Sequence, residues 1–336
     1  MNLYQIFCLL LFCVVANSIV IAQENLVVNG DLEEYSACPD HYSIPTDLQI
    51  ERCVGWTAPT FGTSDYFNSC ASSSNVSTPF NSHGFQMPHS GNGYLGAFIA
   101  SYTGAAGDDI DTSDIQSAIM WWEYVQGRIK HPLEKDRLYK FGMFISLEDS
   151  AEMAVNEIGV HFSETPISKP NSTNFQVSPQ LVLSDPSFYT DTSDWMHLSG
   201  YFLAQGGEEY ITIGNFNDYS TTDTLLFFPS GSFDPGPQTY YFMDDISLVK
   251  FGDAITLPNV FTPNGDQLND QWYIDFEFEN ILYVEIVNRW GNLVAKGDIS
   301  SFKWDGGACS EGVYFVVLKY YHSNEAVKSG FIHLVK

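Results

Sequence analysis

Basic residues are scarce in this chain. Only 14 Lys and Arg stand against 41 Asp and Glu in 336 residues, a net charge of −27. Such a surface repels phosphate backbones and anionic headgroups, which argues against nucleic acid and acidic membrane as partners. Cysteine is sparse as well. Of six, four lie beyond the first 23 residues: Cys38, Cys53, Cys70 and Cys309. They form no CxxC pair and no His/Cys cluster with zinc spacing. Catalytic signatures are missing too: no GxSxG, no HExxH and no glycine loop that would cradle phosphate. Helical periodicity is rare. The one long apolar run, residues 6–15, is broken by Asn17, Ser18 and Gln23 short of the ~20 residues that span a bilayer.

That opening run, "MNLYQIFCLLLFCVVANSIVIAQEN", reads as a secretory signal peptide over residues 1–23, although no Lys or Arg precedes its apolar core. A membrane anchor is the alternative. An exported chain meets an oxidising compartment, so disulfides are permitted. Four cysteines allow three full pairings, and spacing does not choose among them.

What the chain has in abundance is β-forming sequence. Aromatics make up 15% of it, in short alternating runs separated by turn residues. "YKFGMFISL", "EIGVHFS", "MHLSGYFLA", "EYITIGNF" and "YYFMDDISLVKF" each alternate as half-buried strands do. Residues 24–252 carry 30 acids and 8 bases and read as a jelly-roll β-sandwich. Residues 253–336, with 11 acids and 6 bases, read as a small immunoglobulin-like sandwich. The expected fold class is therefore all-β, in two domains.

The C-terminal unit carries five blocks in order: "LPNVFTPNGDQLNDQW", "LYVEIVNRWGNLVAKG", "FKWDGG", "EGVYFVVLKY" and "SGFIHLVK". Together these resemble the gliding-motility-associated C-terminal domain, the type B sorting domain of the Bacteroidota type IX secretion system. The motif residues are Asn264, Gly265, Asp266, Asn269, Asp270, Arg289, Trp290, Gly291, Trp304, Asp305 and Gly306. The family's second glycine in the first turn is Gln267 here. The resemblance implies an address. The protein would be carried to the outer surface or the medium by the type IX machinery, with an outer-membrane partner of the PorP/SprF kind. On the residues alone, "TPNGDQLND" is an Asx-rich turn in which Asp266 and Asp270 bond their own backbone.

The N-terminal unit opens with "NLVVNGDLEEY" and closes with "YYFMDDISLVKF". This pairing resembles galactose-binding-like jelly rolls, the fold of many carbohydrate-binding modules. The resemblance implies a structural calcium held by Glu33 with Asp244 or Asp245, and calcium does take hard oxygen ligands in loose geometry. Strict alternation turns Asp244 inward with Ile246 and Leu248. The blocks "GWTAPTFGTSDYFNSC", "HGFQMPHSGNGYLGAFI" and "WWEYVQGRIKHPLEKDRLYKFGMFISLED" resemble a Bacteroidota domain found ahead of sorting domains. That resemblance favours a Cys38–Cys70 bridge and leaves Cys53 odd.

Sugars bind through stacking on aromatic faces, so Trp56, Tyr66, Trp122 and Tyr124 are the expected ligand-binding residues, with Phe67, His89 and Trp121 near them. A jelly roll also needs large aromatics in its core, and adjacent Trp121 and Trp122 face opposite ways. Glu123, Glu148 and Glu157 are the carboxylates a glycosidase would draw on, with nothing to single them out. The acidic run 107–114 reads as a solvated loop. The best reading is an exported, non-catalytic binding module for carbohydrate or another surface polymer. The alternatives are an adhesive protein that contacts protein partners, and a hydrolase on a jelly roll.

Overall fold

The computed structural model describes residues 23–103, 119–218, 220–227, 237–276, 281–321 and 326–336. The expected signal peptide, apart from Gln23, and the acidic run 107–114 lie outside them. The protein is all-β. Two single-turn 3₁₀ segments, Gln49–Arg52 and Ser74–Val76, are the helical exceptions among the described residues. No described helix is long and apolar enough to cross a membrane.

Two antiparallel sheets face each other in the N-terminal unit. One has five strands in the order Trp56–Thr57, Tyr124–Arg128, Tyr210–Gly214, Glu157–Ser163, Leu181–Ser184. The other has six. Its path runs Met196–Leu203, Arg137–Leu147, Gln238–Ala254, Gly93–Thr103, Asp65–Asn68, and Ile119–Trp121 also pairs with Gly93–Thr103. The alternation that marks these strands in sequence sends every second residue between the sheets. Phe141, Met143 and Ile145 meet Ile158, Val160, Ile211 and Ile213 there, all fully buried. Phe162 stacks on Phe202 with ring centroids 3.8 Å apart.

Two strand expectations come out differently. "NLVVNGDLEE" forms an isolated bridge, Val27 with Ile129, because Leu26 N–H turns to Leu248 O and Val28 N–H to Arg128 O on two different strands. Asp244 does not face the interior with Ile246. A bulge between Asp244 and Ser247, with Asp245 at φ 46°, shifts the phase of the strand. Tyr241, Met243, Ile246 and Leu248 enter the interior, while Tyr240, Phe242 and Asp244 take the outer side of the six-stranded sheet.

That outer side is not open to solvent. Phe67, Tyr94, Tyr240, Phe242 and Val76 form a second apolar cluster under the segments that flank the strand Asp65–Asn68 within residues 36–92, with Tyr42 and Trp195 packed against it. A Cys38–Cys70 disulfide ties this covering insertion together. A third cluster covers the five-stranded sheet, where Trp122, Tyr124, Phe175 and Phe216 pack with Ile167.

The C-terminal unit is built on one five-stranded sheet, ordered Val260–Phe261, Ala326–Leu334, Gly312–Tyr320, Leu282–Val287, Leu293–Asp298. The layer facing it is irregular. "WYIDFEF" contributes one bridge, in which Trp272 and Trp304 exchange both backbone bonds at 2.7 and 2.8 Å.

Candidate functional site

The four expected ligand-binding aromatics are structural. Trp56 is buried with its Nε1 donating to Asn29 O at 3.1 Å. Tyr66 is buried and donates to Leu32 O at 2.9 Å. Trp122 and Tyr124 lie in the third cluster, the Tyr124 hydroxyl bonded to Asn215 O. None of the four presents a free ring face. The physical reason is volume: both sheets carry inserted loops on their outer sides, and large rings fill the gaps beneath.

Glu33, Asp244 and Asp245 do converge, on the segment His89–Gly93. Glu33 Oε1 accepts from Asn92 N at 2.6 Å and Gly93 N at 2.9 Å, and Oε2 accepts from Asn92 Nδ2 at 2.9 Å. Asp244 Oδ2 accepts from His89 N and Ser90 N at 2.8 and 3.2 Å, and its Oδ1 from Asp245 N at 2.7 Å. Asp245 pairs with His89 Nδ1 and accepts from Ser90 Oγ at 2.9 Å. Gly91, at φ 58°, leaves room for this clasp, since a Cβ there would meet the Glu33 carboxyl carbon at 2.2 Å. Burial first, and then the neighbouring Asp245 charge, push Asp244 up to about 8.

This arrangement does not fit the expected calcium site. N–H and O–H groups point their positive ends at the oxygens a cation would need. Among the described residues no group of three or more His, Cys, Asp or Glu could hold a metal ion. The three carboxylates pin a loop.

Acids and aromatics meet elsewhere, on the covered side of the six-stranded sheet. Tyr240 is the centre. Its hydroxyl donates to Asp65 Oδ2 at 3.0 Å, and its ring stacks on His83 at 3.8 Å and 9°. His83 Nδ1 pairs with Glu148 Oε2. Phe98 packs edge-on to Tyr240 at 4.8 Å. Gly96 makes this possible, because a Cβ there would meet the Tyr240 oxygen at 2.3 Å. Glu123 is beside this group. Its Oε1 accepts from Thr63 N, Thr63 Oγ1 and Trp121 Nε1 at 2.7, 2.9 and 2.9 Å, and its Oε2 from Phe98 N at 3.0 Å.

Asp65, Glu123 and Glu148 are buried, whereas Tyr42, His83, Phe98 and Trp121 stay partly exposed above them. Burial raises Asp65 to about 7, and the charge of Glu123 adds to it. Burial also raises Tyr42, with Asp65 and Glu148 contributing. The structure thus brings together Glu123 and Glu148, two of the three carboxylates that sequence offered without distinguishing them, with Trp121, and adds Asp65, His83 and Tyr240. Glu157 lies apart, bonded to Asn217 at 2.8 Å. A separate groove of about 370 Å³ lies between the edge strands Leu181–Ser184 and Met196–Leu203, and none of the expected site residues lines it.

In the C-terminal unit, Asp270 Oδ1 and Oδ2 accept from Gly265 N and Gln267 N, each at 2.8 Å, and Asp266 accepts from Leu268 N at 2.8 Å. The "TPNGDQLND" turn is held by its own carboxylates. Asn288 Oδ1 does the same for the next motif, accepting from Trp290 N and Asn292 N at 3.0 Å. Residues 255–334 match the CHU_C Type IX secretion signal domain. A sorting domain therefore stands at the C-terminal end of this chain and marks it as cargo of type IX secretion, exported to the cell surface or beyond.

No curated protein matches the chain. Among solved structures, the CBM22-1 xylan-binding domain of Paenibacillus barcinonensis Xyn10C is similar at 12% identity. It covers 65% of this chain and 100% of that one, with a TM-score of 0.31. The K1 cleaved adhesin domain of Lys-gingipain from Porphyromonas gingivalis W83 is similar at 14% identity, over 59% and 92%, with a TM-score of 0.29. The adhesin domain of Epf from Streptococcus pyogenes is similar at 12%, over 93% and 97%, with a TM-score of 0.27.

Proposed function

We propose that the N-terminal sandwich is a non-catalytic binding module for a neutral polysaccharide, delivered outward by the sorting domain. The observation that carries this is the set of partly exposed rings, Trp121, Phe98, Tyr42 and His83, fixed over buried carboxylates. Sugar rings stack on such faces, and a net charge of −27 disfavours a polyanionic ligand. Binding is favoured over hydrolysis because the carboxylates are already engaged. Glu123 takes four donors, Asp65 takes Ser43 N and the Tyr240 hydroxyl, and Glu148 takes His83. None of them faces an open position where a glycosidic oxygen could sit. The delivery route includes an outer-membrane partner of the PorP/SprF kind as the finer part of the same proposal.

One observation supports an adhesive, protein-contacting reading: Phe80 and Phe85 pack edge-on at 4.7 Å on an exposed hairpin next to exposed Met87. Retention of the full chain on a panel of neutral and acidic polysaccharides separates the readings. The binding module is retained on a neutral polymer, and Trp121→Ala or Phe98→Ala abolishes retention while the chain still melts in a single cooperative transition. Retention that survives both changes, or release of reducing ends from the polymer, overturns the proposal.

A further inference from the structure

We propose that the outer face of the C-terminal sheet, at its Trp290 end, is the surface by which the type IX secretion machinery recognises this chain. The sheet buries Val284, Ile286, Val316, Leu318 and Ile332 on one side. The other side of a one-layer antiparallel sheet is ordinarily polar. At one end it is: Glu285 pairs with Lys296 at 3.2 Å and with Lys319 at 2.8 Å.

At the other end it is apolar. Register sets Leu293 opposite Val287, Val287 opposite Phe315, and Phe315 opposite Phe331, a row across four strands. Leu293, Phe315 and Phe331 are 55%, 44% and 49% exposed. Trp290 stands in the turn that joins Val287 to Leu293, 76% exposed, with the Arg289 guanidinium 5.4 Å from its ring. Asn288 fixes that turn, so the indole is held out by structure and not left there by slack chain. A continuous exposed apolar row marks an interaction surface, and an aromatic–arginine pair is the composition that interface centres favour.

Charge selects the occupant. Arg289 stands beside Trp290, and beyond the apolar row Lys296 and Lys319 share the single carboxylate of Glu285, a local excess of positive charge in a chain of net charge −27. A second copy would bring another 27 negative charges against the first. The face fits a receptor whose contact surface is apolar at the centre and bears carboxylates at its rim. The domain that carries the face is the secretion signal, which places the receptor in the secretion machinery. The inference stands apart from whatever the N-terminal module binds.

The test is export of the full chain from a bacterium with an intact type IX machinery, beside one that lacks it. Trp290→Ser, Phe315→Ser and Phe331→Ser are compared with Phe80→Ser, a change at an exposed aromatic outside the sorting domain. The face variants lower the extracellular amount at least ~10-fold and accumulate in the periplasm with wild-type melting, while Phe80→Ser exports normally. Trp290→Ser, in a solvent-exposed turn, keeps the test decisive should the strand variants fold poorly. Arg289→Glu/Lys319→Glu, which reverses the rim, lowers export in the same way. Normal export of Trp290→Ser and of the charge reversal overturns the proposal. So does a concentration-dependent dimer of the wild-type chain that the face variants dissolve, which would assign the face to self-association.

Discussion

Asp65 is where burial and chemistry conflict most. A carboxylate raised to about 7 in the fold and near its ordinary value in the unfolded chain binds more protons folded than unfolded between those limits. Stability therefore falls as pH rises through that window. The loss begins near the unfolded pKa of about 4 and is complete above the folded one, and the gap between the two sets an upper bound of about 4 kcal/mol. Asp244, raised to about 8, acts in the same direction over a slightly longer window. Urea unfolding should show wild-type stability declining from mildly acid to mildly alkaline pH, with Asp65→Asn declining less. Equal slopes for the two proteins would show that Asp65 is ionised in the fold. A second residue-level expectation concerns Glu33, Asp244 and Asp245. Since N–H donors occupy their oxygens, chelator should leave the melting temperature unchanged, and a drop would restore a calcium site. Part of this was legible in sequence. The adjacency of Trp121 and Trp122 already sets them on opposite sides, and they do part, Trp121 to Glu123 and Trp122 into the third cluster, but the chain leaves one sheet for the other between Trp121 and Tyr124, which sequence did not show. Asp65 and His83 left no such signal, because they reach Tyr240 from more than 150 residues away in the chain.

At the scale of elements, strand identities could be read from alternation and strand phase could not. In "YYFMDDISL" strict alternation carried through the two aspartates puts Asp244 on the side of Ile246 and Leu248, yet the bulge at Asp245 places it on the outer face. A bulge leaves no periodic mark when polar residues flank it. The covering insertion was equally hidden. None of the alternating runs read as strands falls within residues 36–92, and only the fold reveals that the segments flanking Asp65–Asn68 roof an aromatic cluster. The Cys38–Cys70 bond closes a loop with a sequence separation of 32 across that roof. Chain-entropy arguments give such a loop roughly 3–4 kcal/mol. Replacing both cysteines by serine should lower unfolding free energy by about that amount. It should also raise exchange of the amides in 36–92 ahead of those in the strand Arg137–Leu147. A uniform rise over both segments would mean that the insertion does not open separately from the sandwich.

At the scale of the molecule, the two units are joined by more than their linking strand. The Tyr320 hydroxyl of the sorting domain accepts Leu203 N–H of the sandwich, in a buried position. Lys328 pairs with Asp136, and Gln205 Nε2 donates to Val327 O at 3.3 Å. The ion pair is partly solvated and contributes little. The tyrosine bond weighs more, because its loss strands a buried donor at a cost of about 1–3 kcal/mol. This bond ties the strand Gly312–Tyr320 of the sorting domain to the strand Met196–Leu203 of the sandwich. Tyr320→Phe keeps the ring and removes the oxygen. It should lower unfolding free energy by about 1–3 kcal/mol and split one cooperative transition into two, the sorting domain melting first. If the variant instead unfolds in a single step at wild-type stability, the remaining contacts, Lys328 with Asp136 and Gln205 with Val327 among them, hold the two units together, and Leu203 N–H finds another acceptor when the hydroxyl is gone.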